Sequence, residues 1–537
     1  MAPMRRALWL LVLGVGCGDD GGATGDGGLR DGGADALPPD GCGDECVPAD
    51  SIYVSAVVGD DANSGAKDAP VKTVHAGLSL AREAGVNVVV GEGTYTEAVT
   101  LAEGVDLLGG YHCAADACDW TRDINLYVST IAAIDPRGLV ATSSITSATL
   151  VSGFTIRGLD GEPMITDGGR AVTIEGGSVT LRGNKIIAGA VGPGNDGEHR
   201  SVGISIRETT TSTPIVIENN EITGGTGDTS IGIAMDTLDP SLSALVTISS
   251  NVIRTRTARS AYGIYALYAK AGSVASNNDI VVGTTTGGES FGMLVSGPVK
   301  IDANRVNVDR MAVGVCMQAT SWCGGIAVEG NATAPITNNI AYGPRGSRTA
   351  GLVIAQFSRA TGPIVATNNF FSGGGTATFG GGTRGQSAAV ALVTGDSGVA
   401  LAPDVGTLRN NIFDGGSSNV RFGVRESLNV DRIHPVVLEA NAFVFTALSN
   451  RDDVLLREIA ADGDIIDHTS LIGMELTSNV PTLNNLDGNP LLDATLHLAA
   501  TSPLIDVGST LGAPATDFEG DPRPGGQGID IGPDEAN

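Results

Sequence analysis

The chain has few aromatic residues: Phe, Tyr and Trp make up 4% of its 537 residues. An enzyme that cuts polysaccharides would use aromatic side chains as platforms on which sugar rings stack. The aromatic residues here are also scattered along the sequence. Their scarcity counts against a carbohydrate-cleaving enzyme and favours a binding, adhesive or structural protein.

Positive charge is also scarce. The chain has 32 Lys and Arg residues against 60 Asp and Glu residues, so its net charge is −28. A surface this acidic repels the phosphates of nucleic acids and of anionic lipids. We therefore expect no nucleic-acid partner.

The apolar run near the N-terminus, residues 7–15, is too short to cross a bilayer. It follows Arg5 and Arg6, and this combination is typical of an export signal. The run ends in Gly-Val-Gly-Cys at positions 14–17, which resembles the box of bacterial lipoproteins, although Gly14 stands where an aliphatic residue is usual. We expect residues 1–17 to be a lipoprotein signal peptide that is lipidated at Cys17. Ordinary cleavage, or a buried structural Cys17, is the alternative.

Two or three acyl chains would hold the mature protein stably on a membrane. We therefore expect an exported, membrane-anchored protein at the cell surface or on the periplasmic face. The anchor would be its contact with the membrane.

Cysteine is infrequent, and its spacing is informative. Six of the seven cysteines remain after Cys17 is set aside, and they form three close pairs: Cys42 with Cys46, Cys113 with Cys118, and Cys316 with Cys323. Close pairs in an exported chain favour local disulfides. None of these spacings is that of a zinc site, so we expect no metal centre.

Residues 18–50 are almost entirely Gly, Asp, Ala and Pro, without an apolar period. Such a segment cannot bury enough surface to fold, and we interpret it as a disordered tether. Its Asp residues lack the loop spacing of a known Ca²⁺ site. We therefore expect no cofactor. A bound Ca²⁺ ion is the one alternative.

The most prominent feature of the sequence is a repeat in which β-branched residues precede one or two Asn, and another aliphatic residue follows. Ile-Val-Ile-Glu-Asn-Asn-Glu-Ile at positions 215–222 is one copy. The intervals between successive copies are 36, 31, 27, 26, 35, 30, 42 and 30 residues, counted from Asn184. The copies are marked by Asn184, Asn220, Asn251, Asn278, Asn304, Asn339, Asn369, Asn411 and Asn441.

A second phrase lies between these copies: a small residue followed by alternating aliphatic residues, as in Gly-Ile-Ser-Ile at 203–206. Each unit therefore holds about three short, half-buried strands. Three such strands cannot shield their apolar face alone, whereas stacked units close a continuous core. We predict an all-β fold, a right-handed parallel β-helix of about 10–12 coils. A β-sandwich or propeller would need paired hairpins or blades of constant length, which are not evident.

The Asn repeat also predicts a ladder. Asn tolerates the left-handed backbone conformation of a sharp turn, and its amide can bond to the Asn of the next coil. We expect five of these residues to stack at one turn with their side chains inward: Asn220, Asn251, Asn278, Asn304 and Asn339.

The exposed ends of a solenoid need covers. Val74, Leu78 and Ala81 share one helical face, and Gly85 follows as a stop, so we predict a capping helix over residues 73–84. The predicted organisation is a signal peptide (1–17), a tether (18–50), an N-terminal cap with the first coils (51–125), the β-helix (126–500) and an irregular C-terminal cap (501–537).

Several runs near the two ends resemble those of bacterial pectin-lyase-like β-helix proteins that carry an N-terminal domain of unknown function. The runs are Tyr-Val-Ser at 53–55, Gly-Asp-Asp-Ala-Asn-Ser-Gly at 59–65, Pro-Val-Lys-Thr-Val at 70–74 and Gly-Glu-Gly-Thr-Tyr at 91–95. Ser-Pro-Leu-Ile-Asp-Val-Gly at 502–508, with 517–524 and Asp-Ile-Gly at 530–532, looks like the closing segment of the same class. The resemblance spans nearly the whole mature chain. It implies the fold but no single activity, since this fold hosts lyases, hydrolases and adhesins.

The sequence offers only weak candidates for catalytic residues. A lyase needs carboxylates that hold Ca²⁺ and an Arg or Lys that takes a proton, and the nearest such set is Asp302, Asp309 and Arg310. The polar loop 194–200 and His75 are further candidates. All are equally compatible with solvated turns or ordinary packing. A convergent pair of carboxylates on adjacent coils would favour an enzyme.

Arginines recur at one position of the repeat, in the loop between the Asn phrase and the next aliphatic strand. We predict that six of them line one edge of the rod and bind an acidic polysaccharide: Arg254, Arg256, Arg259, Arg310, Arg345 and Arg348. Pairing with surface carboxylates such as Asp228 and Glu289 is the alternative. We expect a monomeric, non-catalytic surface rod that contacts polysaccharide. The alternative function is a polysaccharide lyase or glycoside hydrolase that acts on an acidic glycan.

Overall fold

Short β-branched strands dominate the structure, a computed structural model. It describes residues 50–536, apart from 116, 147–148, 162–168, 193–198, 208–212, 237–242, 308–321, 330–334, 357–363, 376–384, 395–403, 427–433, 446–451 and 461–462. The described strands form three long sheets. Each coil contributes one strand to each sheet through most of the rod.

The first sheet has 14 strands, all paired in parallel. In spatial order they are β1 (Ser51–Val54), β2 (Asn87–Gly91), β4 (Leu107–Tyr111), β7 (Thr149–Ser152), β10 (Val179–Arg182), β13 (Ile215–Glu218), β16 (Val246–Ser249), β19 (Val274–Ser276), β22 (Lys300–Asp302), β25 (Ile336–Thr337), β28 (Ile364–Thr367), β31 (Asp404–Arg409), β34 (His434–Glu439) and β38 (Thr482–Leu483).

The second sheet has 13 strands and is also parallel. Its strands are β3 (Gly93–Thr96), β5 (Ser129–Ala132), β8 (Phe154–Arg157), β11 (Lys185–Ile187), β14 (Glu221–Thr223), β17 (Val252–Arg254), β20 (Asp279–Val281), β23 (Arg305–Val306), β26 (Ile340–Tyr342), β29 (Phe370–Ser372), β32 (Ile412–Asp414), β35 (Ala442–Val444) and β39 (Leu486–Asp487).

The third sheet has 12 strands, of which the last in the chain is antiparallel to its neighbour. Its strands are β6 (Leu139–Thr142), β9 (Val172–Glu175), β12 (Arg200–Arg207), β15 (Thr229–Asp236), β18 (Ser260–Leu267), β21 (Ser290–Ser296), β24 (Cys323–Glu329), β27 (Arg348–Gln356), β30 (Gln386–Thr394), β33 (Val420–Glu426), β36 (Asp452–Ile459) and β37 (Ile465–His468).

One apolar core runs through the stack, because alternate residues of every strand point inward. Ile217, Ile222 and Ile233, from three consecutive strands on the three sheets, are all fully buried in this core. The next coil repeats the pattern with Ile248, Ile253 and Ile264. The architecture is therefore the all-β parallel β-helix that the repeat predicts, and the pectin-lyase-like resemblance implies the same fold.

The Asn ladder is confirmed. The side-chain Nδ2 of Asn278 donates to Oδ1 of Asn304 at 2.9 Å, and Asn251 donates to Asn278 at 3.0 Å. The same bond links each predicted Asn to the next, and the ladder continues beyond them. Its members are Asn184, Asn220, Asn251, Asn278, Asn304, Asn339, Asn369, Asn411, Asn441 and Asn485.

The left-handed conformation belongs to the residue before each ladder position, and not to the ladder Asn itself. Asn219 and Asn277 both have φ 54°, and Ala303 and Ala440 occupy the same place with φ 53° and 52°. The sequence analysis attributes the left-handed conformation and the ladder hydrogen bond to one Asn, but they belong to two neighbouring residues.

Both ends of the rod carry helices. Helix α1 (Val74–Ala84) begins after Thr73, whose side chain accepts from the backbone N–H of Ala76, and ends at Gly85 with φ 69°. Val74, Leu78 and Ala81 are buried, as predicted. Helix α2 (Leu471–Thr477), which the sequence analysis does not predict, contributes Met474 to the core. No helix among the described residues is long and apolar enough to cross a membrane.

The C-terminal segment is irregular and lies against the outer side of the second sheet. Leu504, Phe518 and Ile531 pack there with Phe370 and Ile412. The structure also contains a disulfide between Cys113 and Cys118, and Cys323 is disulfide-bonded. Cys17, Cys42, Cys46 and Cys316 lie outside the described residues.

Candidate functional site

The weak catalytic set does not assemble within the described chain. Asp302 ends β22 on the first sheet, where its carboxylate lies 2.7 Å from Lys300 Nζ and accepts from Thr337 Oγ1 at 2.6 Å. Asp309 and Arg310 lie outside the described residues. The contacts of Asp302 tie two adjacent coils together and are those of a structural residue.

The other two candidates also have ordinary surroundings. His75 is exposed on α1. Of the polar loop 194–200, residues 194–198 lie outside the described part. His199 is buried, with Nδ1 2.8 Å from the carbonyl of Gly192, and Arg200 begins β12.

The predicted arginines that the structure describes fall at one corner of the coils, where the chain passes from the second sheet to the third; Arg310 lies outside the described residues. We call the exposed arginines of this corner the arginine corner; they are Arg157, Arg254, Arg256, Arg259 and Arg345. Arg348 follows as the half-buried first residue of β27. Arg256 and Arg345 are three coils apart, roughly 14 Å at the spacing of β-strands.

Ion pairing varies among the surface cations. Some pair with carboxylates on the adjacent coil, as in Lys185–Glu221 at 3.1 Å and Arg409–Glu439 at 2.6 Å, whereas the exposed Lys67, Lys72, Arg82 and Lys270 form no ion pair within the described residues. Within the described chain, none of the five corner arginines forms an ion pair. Pairing with Asp228 or Glu289, the alternative explanation of these arginines, does not occur for these five.

A cavity of about 240 Å³ opens at this corner. Arg157 and Arg256 line it together with Thr226 and Asp160, and the Asp160 carboxylate accepts from the backbone N–H of Ala190 at 2.7 Å. The cavity thus offers two unpaired guanidinium groups and a hydroxyl. This donor set suits an anionic group.

The outer face of the third sheet gathers aromatic residues that are scattered in the sequence. Within β18, Ile264 joins the inner core, whereas Tyr262 belongs to a separate apolar cluster on the opposite face. Phe291, Trp322 and Phe422 are in that cluster as well. The rings of Tyr262 and Phe291 stack with centroids 6.2 Å apart. These rings are at most 8% exposed, so they pack against one another and do not form an open platform for sugar rings.

A signal for this face was present in the sequence. Tyr262, Phe291 and Phe422 each stand immediately before the Gly of the second phrase. In the sheet these positions are in register: Tyr262 pairs with Phe291 in the next coil. Comparing that one position across units would have found the cluster.

Two carboxylates belong to adjacent coils of the third sheet, near opposite ends of their strands. Glu289 precedes β21 and accepts from the Tyr262 hydroxyl at 2.7 Å, while Glu329 ends β24 and pairs in register with Ser296 at the far end of β21. Burial first, and then the charge of Glu289, raises the pKa of Glu329. The Arg200 guanidinium lies 5.5 Å from the centre of the nearby Tyr265 ring. A half-buried acid with a raised pKa can donate a proton.

A second pair of carboxylates on adjacent coils is structural. Glu426 lies 2.8 Å from His434 and Glu458 lies 3.0 Å from His468. Both glutamates are at most 1% exposed, so no sugar can reach them.

One group in the C-terminal segment has the residue types of a metal site. His497, Glu519 and Asp534 place one ligand atom each within 4.8 Å of one another. These side chains already have partners: His497 Nε2 is 2.9 Å from Glu519, and Asp534 accepts from the backbone N–H of Leu498 at 2.7 Å. Burial is the main cause that raises the pKa of Asp534 to about 6. The group is a hydrogen-bonded network that fixes the segment.

Comparison with known proteins concerns the fold. No family model matches the chain, and no curated protein matches it. Among solved structures, pectate lyase Pel9A is similar with 14% identity and a TM-score of 0.35, covering 91% of this chain and 97% of that one. XylC in complex with xylose is similar with 10% identity and a TM-score of 0.34, covering 90% of this chain and 98% of that one. Likenesses this distant carry no argument about the activity of this chain.

Proposed function

We propose that this chain is an exported, lipid-anchored and non-catalytic β-helix protein that binds an acidic polysaccharide along the arginine corner. One observation carries the proposal: five exposed arginines share a corner of the rod in a protein of net charge −28, and none of them forms an ion pair within the described residues. Guanidinium groups without an ion pair are available to the carboxylates or sulfates of a glycan.

The geometry favours a polymer over a small ligand. Each exposed ion pair contributes well under about 1 kcal/mol, so useful affinity needs several contacts at once. The corner supplies them at three positions, namely Arg157, residues 254–259 and Arg345, each three coils from the next, and a chain molecule can reach more than one of them. Such binding weakens as salt rises, because ions screen exposed charges.

The test is a binding assay of the full chain against a panel of polyuronates and sulfated glycans, with neutral dextran for comparison. We expect the triple variant Arg254→Ser, Arg256→Ser, Arg259→Ser to bind at least tenfold more weakly, with an unchanged melting temperature. The matched control is Arg182→Ser with Lys185→Ser, since both cations are paired on other faces. Equal affinity of the triple variant and the wild type, or binding that ignores salt, contradicts the proposal.

The raised pKa of the half-buried Glu329 favours a second candidate, a glycoside hydrolase that uses Glu329 as its general acid. This candidate predicts new reducing ends on one glycan of the panel, and a rate about 10²- to 10⁴-fold lower for Glu329→Gln. Activity must fall as pH rises through the raised pKa of Glu329, because the acid works only while protonated. Asp302→Asn is the control. The absence of reducing ends across the panel eliminates the hydrolase.

A further inference from the structure

The cavity at the arginine corner extends across four coils of the rod. Arg157, the last residue of β8, lines it at one end, and Arg256, two residues after the end of β17, lines it at the other. The strands β8, β11, β14 and β17 pair in this order in the second sheet. Three strand spacings, roughly 14 Å, therefore separate the two arginines along the rod. The cavity has a cation at each end.

The middle of the cavity is open because its lining is small. Beside Ile187, the residues that line it there are Ala188, Ala190, Gly225 and Thr226. Gly225 occupies the position that Arg256 occupies in the next coil, because Thr223 and Arg254, two residues earlier, pair in register. A Cβ at Gly225 would lie 2.2 Å from a backbone carbonyl oxygen, so only glycine fits. This leaves room for a ligand between the two arginines.

The polar groups of the cavity are accessible. Arg157, Arg256, Thr226 and Asp160 are all exposed, and neither guanidinium has a hydrogen bond or an ion pair among the described residues. Oδ1 of Asp160 accepts from the backbone N–H of Ala190. A carboxylate at this place repels a free inorganic anion, but it can accept further hydrogen bonds from the hydroxyls of a sugar. The set therefore suits a sugar whose acidic groups lie apart from one another.

We propose that this cavity holds three consecutive sugars of an acidic glycan, an inference that rests on the polysaccharide-binding function proposed above. The carboxylates of the first and third sugars contact Arg157 and Arg256, each through the two parallel hydrogen bonds that a guanidinium can donate. The middle ring lies over the small residues, within reach of Thr226 and Asp160.

The length of three sugars follows from the spacing of the arginines. One pyranose unit advances a glycan by about the spacing of one coil, roughly 5 Å. The first and third sugars of a trimer are therefore about two coils apart, and the long arginine side chains cover the remaining distance. A dimer is too short to engage both arginines. The cavity thus selects a minimum length, which the isolated arginines elsewhere on the corner cannot do.

The experiment titrates the full chain, followed by NMR, with mannuronate and with oligomannuronates of two, three and four units. We expect the affinity to rise at least threefold from dimer to trimer, when the second arginine is engaged, and to show no comparable rise from trimer to tetramer. Mannotriose, a neutral trimer, must bind more weakly than trimannuronate. Inorganic sulfate that displaces the trimer at equal concentration would show a plain anion site and overturn the assignment.

Variants test the two ends of the cavity. Arg157→Ser and Arg256→Ser must each abolish the step between dimer and trimer, because one end of the trimer then has no cation to contact. Both side chains are exposed, so the melting temperature must stay unchanged. Arg82→Ser is the matched control, since Arg82 is an exposed arginine of α1 that also forms no ion pair among the described residues. A wild type without the step, or an Arg157→Ser variant that keeps it, overturns the proposal.

Failure of this proposal differs from failure of the proposed function. If the polymer binds in a salt-sensitive way but trimer and dimer bind equally, the cavity does not select length, and polysaccharide binding along the corner stands. If neither the polymer nor any oligomer binds, both proposals fail together.

Discussion

The ladder Asn residues show how much one amide can contribute when it is buried. Asn278 donates from Nδ2 to the carbonyl of Ile248 and to Asn304, both at 2.9 Å, and its Oδ1 accepts from both nitrogens of Asn251. The neighbouring Asn277 is exposed and has φ 54°. Two adjacent residues of one type therefore have different roles, one in hydrogen bonding and one in backbone conformation.

We expect Asn278→Ala to lower the free energy of unfolding by about 2–4 kcal/mol, because it leaves buried donors and acceptors of two coils without partners. Asn277→Ala is the matched control. Alanine already occupies the equivalent position at Ala303 and Ala440, so this change should cost about 1 kcal/mol or less. Urea denaturation of both variants measures the difference. Equal losses would mean that the ladder is not what stabilises the turn.

At the scale of strands and helices, local pattern predicted most of the fold. The β-branched runs, the Asn turns and helix α1 follow from spacing within a few residues, and the core forms because each unit repeats the same alternation. The sequence also predicted the shared corner of the described arginines, because they recur at one position of the repeat.

What the sequence did not reveal depends on register between coils. Tyr262 and Phe291 are 29 positions apart and become neighbours only when their strands pair. The ion pairs of Arg421 with Asp453 and of Arg457 with Asp467 likewise depend on which carboxylates lie across the sheet. Variable insertions between coils hide these pairings, because no fixed interval connects them.

At the scale of the whole molecule, the arrangement suits a rod held away from a surface. The described β-helix starts at Ser51, after a stretch of Gly, Asp and Pro that we interpret as a tether. The Cys113–Cys118 disulfide fits an oxidising compartment. Lipidation of Cys17 would fix the N-terminal end of this stretch to a membrane.

We expect Cys17→Ser to release the protein from the membrane fraction into the soluble fraction of a host that processes bacterial lipoproteins. Loss of the two or three acyl chains from this one residue removes the whole anchor, because the chain has a surplus of negative charge and gains nothing from anionic lipids. Fractionation measures the release, and mass spectrometry of the mature N-terminus identifies the acyl groups. Cys42→Ser is the control, and it must stay in the membrane fraction. A Cys17→Ser variant that remains membrane-bound would show that something other than this cysteine anchors the rod.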